Sequence, residues 1–138
     1  RNLPCKQRLH GNKPERRLFS LIKIENHLGT IDISHEFFVN IVGRTATECF
    51  GVAGMAVSGP AQGIRNILTR QEDNLDKGVR VRCIDGALII DLHIVVTYGV
   101  NIPAIVKSIV NKVRYAVEDS TGLHVSKVNV FVDSMKVQ

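Results

Sequence analysis

Cysteine is scarce in this sequence, and what there is has no useful spacing. Cys5, Cys49 and Cys83 form an odd, widely separated set with no Cys-x-x-Cys pair. That argues against a disulfide framework and a zinc site, and it fits a reducing cytoplasm. There is no signal-peptide h-region and no apolar run of about 18 residues, the minimum for a spanning helix, so the chain is not expected to cross a membrane by itself. No Gly-Lys-Ser/Thr element is present, which excludes a P-loop. Net charge is also missing beyond residue 20. Residues 1–20 carry six basic side chains against Glu15 alone, and the remaining residues hold 12 basic and 12 acidic ones. The formal charge of +5 therefore belongs to the leading segment, and a generally basic, nucleic-acid-coating surface is not indicated.

The 138 residues suit one domain. A chain of this size buries roughly two thirds of its unfolded surface, enough for a self-sufficient core. Residues 1–20, with two prolines and no apolar periodicity, are expected to be a basic flexible arm or a non-native leader. Residues 21–138 are expected to form a single domain.

The clearest pattern lies between Ile90 and Gly122. Ile90, Leu92, Ile94, Val96 and Tyr98 alternate with Asp91, His93, Val95 and Thr97, the period of a strand. Gly99 breaks it. From Asn101 onward, Ile102, Ile105/Val106, Ile109, Val113 and Ala116/Val117 recur at helical spacing, with Pro103 in the first turn and Gly122 at the expected left-handed stop. Val and Ile are mediocre helix formers, so this helix depends on packing its stripe against a sheet.

Upstream, Asp85-Gly86 between two apolar runs predicts a two-residue hairpin turn. The register that follows sets Ile84 against Ala87, Cys83 against Leu88, Val81 against Ile90 and Val79 against Leu92, with Arg80 opposite Asp91. Apolar faces then coincide. Ile31 and Ile33 mark a first strand, and Ser34 caps a helix to about Cys49 with Phe37/Phe38, Ile41/Val42 and Thr45/Ala46 inward. Residues 52–57 suggest a short strand, residues 58–70 a short helix starting at Pro60, and residues 71–78 a charged loop. Val128, Val130 and Val132 mark a last strand. The order β-α-β-α-β-β-α-β predicts an α+β two-layer sandwich, a mostly antiparallel sheet with helices on one face.

Chemistry-bearing residues are sparse. Asp91 and His93 share a strand face and could make an acid–base or metal pair, but Asp91 already faces Arg80 and no nucleophile or third ligand lies near. Gly51–Gly54 resembles the Gly-x-x-Gly phosphate clamp of RNA-binding KH domains without its basic neighbours, so a tight helix-to-strand connection is the simpler account. Gly59, Gly63 and Arg65 at a helix start could hold an anion. His35 and Glu36 fit a helix first turn, where an acid favours the dipole. His10, His27 and His124 have no usable arrangement. Cys49 and Cys83 fit buried packing thiols. Lys107, Asn111, Lys112 and Arg114 form a charged helix face of the kind usually left to solvent, although such a face could also meet a partner or anionic lipid heads. No catalytic, cofactor or metal residue is assigned.

Taken together, the stretch Gly29–Ser34 before a helix, Gly51–Met55 after it, Lys77–Arg82, Ile89–Leu123 and the ending Val125–Val132 resemble the alkaline shock, or envelope stress response, protein family of Gram-positive-type bacteria. The likeness spans about residues 22–137 and is closest to short housekeeping-type members. It implies a cytoplasmic protein without established enzymatic activity, and no catalytic residues to carry over. It also implies protein partners, such as a membrane-anchored protein that holds it at the membrane or a fatty-acid-kinase-type protein, and self-association. The expected function is a non-enzymatic adaptor of the cell-envelope stress response. The alternative is a small nucleic-acid-binding module using the basic arm and Gly51–Gly54. A hydrolase built on Asp91 and His93 is a further alternative.

Overall fold

Side-chain alternation dictates the centre of the fold. The computed structural model describes residues 4–10, 19–56 and 78–137. Its elements run β1 (Cys5–His10), β2 (Phe19–Asn26), β3 (Gly29–Ser34), α1 (His35–Thr47), β4 (Val52–Met55), β5 (Val79–Ile84), β6 (Ala87–Thr97), α2 (Ile102–Thr121) and β7 (Val125–Lys136). β6 turns Leu88, Ile90, Leu92, Ile94 and Val96 into the core and alternates them with half-buried residues on its other face. The hairpin has the register that Asp85-Gly86 predicts, Ile84 opposite Ala87 through Val79 opposite Leu92. Both turn residues have positive φ, 52° and 78°, the geometry that matches strand twist.

β6 is the common partner of the larger sheet. β4 and β5 pair with it antiparallel, end to end along one edge. β7 takes the other edge and runs parallel to β6. The parallel sense follows from α2, a long crossover connection of the kind a parallel pair requires. The helix begins where Asn101 Oδ1 accepts the Ala104 N–H at 3.1 Å and ends at Gly122, whose φ is 72°. Glu118 then fixes the exit: its Oε1 accepts the Val125 N–H at 3.0 Å. Along the helix, Ile105, Ile109, Val113 and Val117 are buried, whereas Ile102, expected to begin the stripe, is exposed.

α1 starts at Ser34, whose Oγ accepts the Phe37 N–H at 3.3 Å. Its buried face is Phe38, Val39, Val42 and Ala46. Phe37, expected inside, is 41% exposed, so the stripe is rotated by one position and Val39 takes its place. Both helices pack against each other, with α1 over β4, β5, β2 and β3 and α2 over β7. The α+β two-layer arrangement, mostly antiparallel, is as expected.

The differences lie at the amino-terminal side. Residues 5–10, within the segment expected to be a flexible arm, form β1 and pair antiparallel with β2. β2 pairs in turn with β3, through a turn in which Asn26 Oδ1 accepts the N–H groups of Leu28 and Gly29 at 2.8 and 3.1 Å. Ile22 and Ile24 on β2 join the same core as β6. Cys5 and Cys83 form a disulfide, with Cα atoms 6.2 Å apart, and the Cys5 N–H donates to Gly86 O at 3.3 Å. This overturns the expectation of a buried thiol at Cys83 and of no disulfide, and with it the inference of a reducing compartment from cysteine spacing. A separation of 78 residues carries no motif, and only the tertiary approach of β1 to β5 brings the sulfurs together. Cys49 is a buried free thiol, with Sγ donating to Thr45 O at 3.4 Å.

Closing so long a loop restricts the unfolded chain, so reduction is expected to lower stability by roughly 4 kcal/mol. Denaturant midpoints with and without dithiothreitol measure this, and equal midpoints would contradict it.

Candidate interaction surface

The sheet leaves one face without a helix among the described elements, and the polar residues noted in the sequence lie there. Asp91 and His93 share that face of β6 but have separate partners. Asp91 Oδ2 accepts from Arg82 Nη2 at 3.0 Å and its Oδ1 from Asn129 Nδ2 at 2.8 Å. His93 Nδ1 lies 3.0 Å from Asp133 Oδ2, and its ring stacks on Phe131 with centroids 4.7 Å apart. Arg80 is opposite Asp91 in the ladder, yet Arg82 makes the ion pair. The two groups serve as cross-strand struts between β5, β6 and β7, and they do not converge on a common point. Asp91→Ala would leave Arg82 and Asn129 without their acceptor, costing about 1–2 kcal/mol. Urea unfolding measures the loss; a variant as stable as the parent would sink this account of Asp91.

Gly51–Gly54 does not form a loop clamp. Val52–Met55 is strand, with Gly54 opposite Val95, so its backbone is engaged by the sheet. Gly51 approaches α2 closely: a Cβ there would lie 2.5 Å from Ile105 Cδ1. The Ile105 side-chain end can shift, so it is the φ of 86° at Gly51, a left-handed conformation, that favours glycine there. His35 opens α1 with Glu36 in its first turn, and His124 Nδ1 lies 3.3 Å from Glu118 Oε1. Lys107, Asn111 and Lys112 are exposed and Arg114 is half-buried, a largely solvent-facing helix side. Gly59, Gly63, Arg65, the helix expected at 58–70 and the loop at 71–77 lie outside the described residues. Among those described, no group of three or more His, Cys, Asp or Glu side chains could hold a metal ion, and no helix is long and apolar enough to cross a membrane.

A different feature gathers at one end of the sheet. The Thr97 N–H donates to Gly51 O, and the Tyr98 N–H donates to Lys136 O, both at 2.9 Å. These bonds bring the start of β4, the end of β6 and the end of β7 side by side. Phe50, Tyr98, Met135 and Val137 flank them, exposed at 89%, 66%, 55% and 71%. Ile102, at the start of α2, is 43% exposed nearby in sequence. Exposed apolar side chains grouped in this way mark contact surfaces. Sequence periodicity had assigned Tyr98 and Ile102 to the interior, because it continued each pattern one residue beyond the point where the element leaves the core.

A family model for the alkaline shock protein 23 family, described as having a cell envelope-related function, matches residues 23–137. The chain is 34% identical over 117 residues to uncharacterized protein YloU of Bacillus subtilis (strain 168), covering 84% of this chain and 96% of that protein. It is 37% identical over 116 residues to uncharacterized protein Spy1614 of Streptococcus pyogenes serotype M6, covering 84% and 95%. Uncharacterized protein YqhY of Bacillus subtilis is 33% identical over 116 residues, covering 82% and 84%. No solved structure matches. With matched residues running from the second half of β2 to the end of β7, the chain belongs to the alkaline shock protein 23 family, whose function is cell envelope-related.

Proposed function

We propose that this protein is a non-enzymatic adaptor of the cell envelope that works in the cytoplasm and reaches the membrane by docking a membrane-anchored protein. The supporting observation is the apolar end patch of Phe50, Tyr98, Met135 and Val137. Aromatic and Met side chains of this kind supply contact area at modest entropic cost and are enriched in protein interfaces. The patch is carried by strand ends held in place by backbone hydrogen bonds, so little ordering is needed on binding. Family membership supplies the envelope; the patch supplies the means of attachment. No observation in the described residues favours the nucleic-acid alternative.

The test is co-sedimentation with membranes from a Gram-positive bacterium, before and after protease has stripped their exposed protein. Binding is expected to intact membranes and to be lost after stripping. A Phe50→Ser/Tyr98→Ser variant that stays folded should also fail to bind. Equal binding to stripped membranes or protein-free vesicles would overturn the reading, as would a patch variant that binds like the parent.

A further inference from the structure

β1 reaches the core through one described side chain. Cys5 is 4% exposed, lies opposite Ile24 of β2 and belongs to the core cluster, and its sulfur is bonded to Cys83 near the end of β5. The next residue already faces water. Lys6 Nζ lies 3.8 Å from Glu25 Oε2 with its side chain exposed, an ion pair too open to hold a strand in place. The bond from the Cys5 N–H to Gly86 O is long, at 3.3 Å. What remains is the backbone ladder to β2, and a strand held to a sheet edge by its ladder alone opens at little cost. The region matched by the family begins at residue 23, beyond β1, so the shared domain is built without this strand.

We propose that the Cys5–Cys83 disulfide is a reducible latch: a dithiol reductant opens it, and β1 then leaves the domain while the rest stays folded. Cys83 is partly buried and Cys5 buried, so the thiolate of the reductant attacks Cys83 Sγ. The bond between the two protein sulfurs breaks, and Cys5 departs as a thiolate that takes up a proton. The second thiolate of the reductant then attacks the reductant's own sulfur in this mixed disulfide, which frees Cys83 and leaves the reductant as a disulfide. Two electrons pass from the dithiol to the protein. Departure of β1 uncovers one edge of β2 and the flank of Ile22 and Ile24, both fully buried in the latched form. In a glutathione-buffered compartment a disulfide is usually transient or redox-sensing. That compartment rests on the adaptor reading above, whereas the latch rests on the geometry of β1 and is tested on the purified chain.

Cys49 is an internal control, since it is a free thiol 3% exposed against 4% for Cys5. The full chain, oxidised with glutathione disulfide, is treated with dithiothreitol without denaturant and pulsed with iodoacetamide, and labelling at each cysteine is read by mass spectrometry. Dithiothreitol is expected to reduce the bond, after which Cys5 should react at least about tenfold faster than Cys49. Labelling of Cys5 as slow as that of Cys49 would mean that β1 stays docked, and would overturn the proposal. Fast labelling of both would overturn it too, because the whole domain would then have opened. So would a disulfide that resists dithiothreitol until denaturant is added. Cys83→Ser, which leaves Cys5 without its partner sulfur, should show the fast labelling of Cys5 with no reductant present. None of these outcomes touches membrane docking through the end patch, so the latch and the adaptor reading fail separately.

Discussion

Gly78→Ala is expected to destabilise the protein by about 4 kcal/mol, although it adds a single methyl group. Gly78 has φ of 71°, a region where an L side chain is strained. A Cβ built there would lie under 3.0 Å from the carbonyl oxygens of Ala56 and His93. Both are backbone atoms in use. His93 O accepts the Ala56 N–H at 2.9 Å, and the His93 N–H donates to Gly78 O at 2.7 Å. This is where β4 gives way to β5 along β6, so neither neighbour can move without opening the ladder. Gly99 provides the control: its φ is 86°, but nothing lies within 4 Å of its Cβ position. Gly99→Ala should therefore cost only the backbone strain, about 1–2 kcal/mol. Urea denaturation of both variants reads the difference directly. Equal losses would show that the close approach at Gly78 contributes nothing.

The second large effect lies under α1. Phe38→Ala is expected to cost about 3–5 kcal/mol, the range for removing a fully buried aromatic ring. Phe38 has no exposed surface and sits in the cluster that holds Ile22, Ile24 and the β6 residues. Its neighbour Phe37 meets it edge to face, with centroids 5.7 Å apart, but is 41% exposed. Phe37→Ala should cost about 1 kcal/mol, since much of its ring already contacts water. With total stabilities of about 5–15 kcal/mol, Phe38→Ala would remove a large share and Phe37→Ala a small one. Thermal and chemical unfolding of the pair settle which phenylalanine faces the core. A reversed order would contradict the rotation of α1 described above.

What could be read from the sequence depended on whether the information was local. β6 and α2 are legible because each carries one dominant period, and the Asp85-Gly86 turn sets the register of β5 through local turn geometry alone. Ser34 and Gly122 marked helix ends through local hydrogen bonding and backbone preference. β2 carries a readable signal of its own: Ile22 and Ile24 alternate with Lys23 and Glu25 and lead into Asn26, a strand followed by a turn. β1 had none, since its pairing with β2 and its disulfide to Cys83 are set by tertiary approach. The rotation of α1 was hidden because Phe37 and Phe38 are equally apolar, and only the three-dimensional contact distinguishes them. The end patch was illegible for a similar reason. Phe50, Tyr98 and Met135 are far apart in sequence and come to one end of the sheet only because three strands finish together. Asp91 and His93 lay on one face as alternation requires, but their partners Asn129 and Asp133 come from β7, whose parallel placement beside β6 no local pattern revealed.

The account rests on the claim that β6 and the inner stripe of α2 form the closed centre of the protein, so that its business is conducted on the outside. Native-state hydrogen exchange, resolved by residue, tests this most directly. The amides of Leu88–Val96 and Ile105–Val117 should exchange slowest, at rates set by global unfolding, while those flanking Phe50 and Tyr98 exchange faster. Fast exchange along Ile105–Val117, as for a helix lining a water-filled cleft, would contradict it.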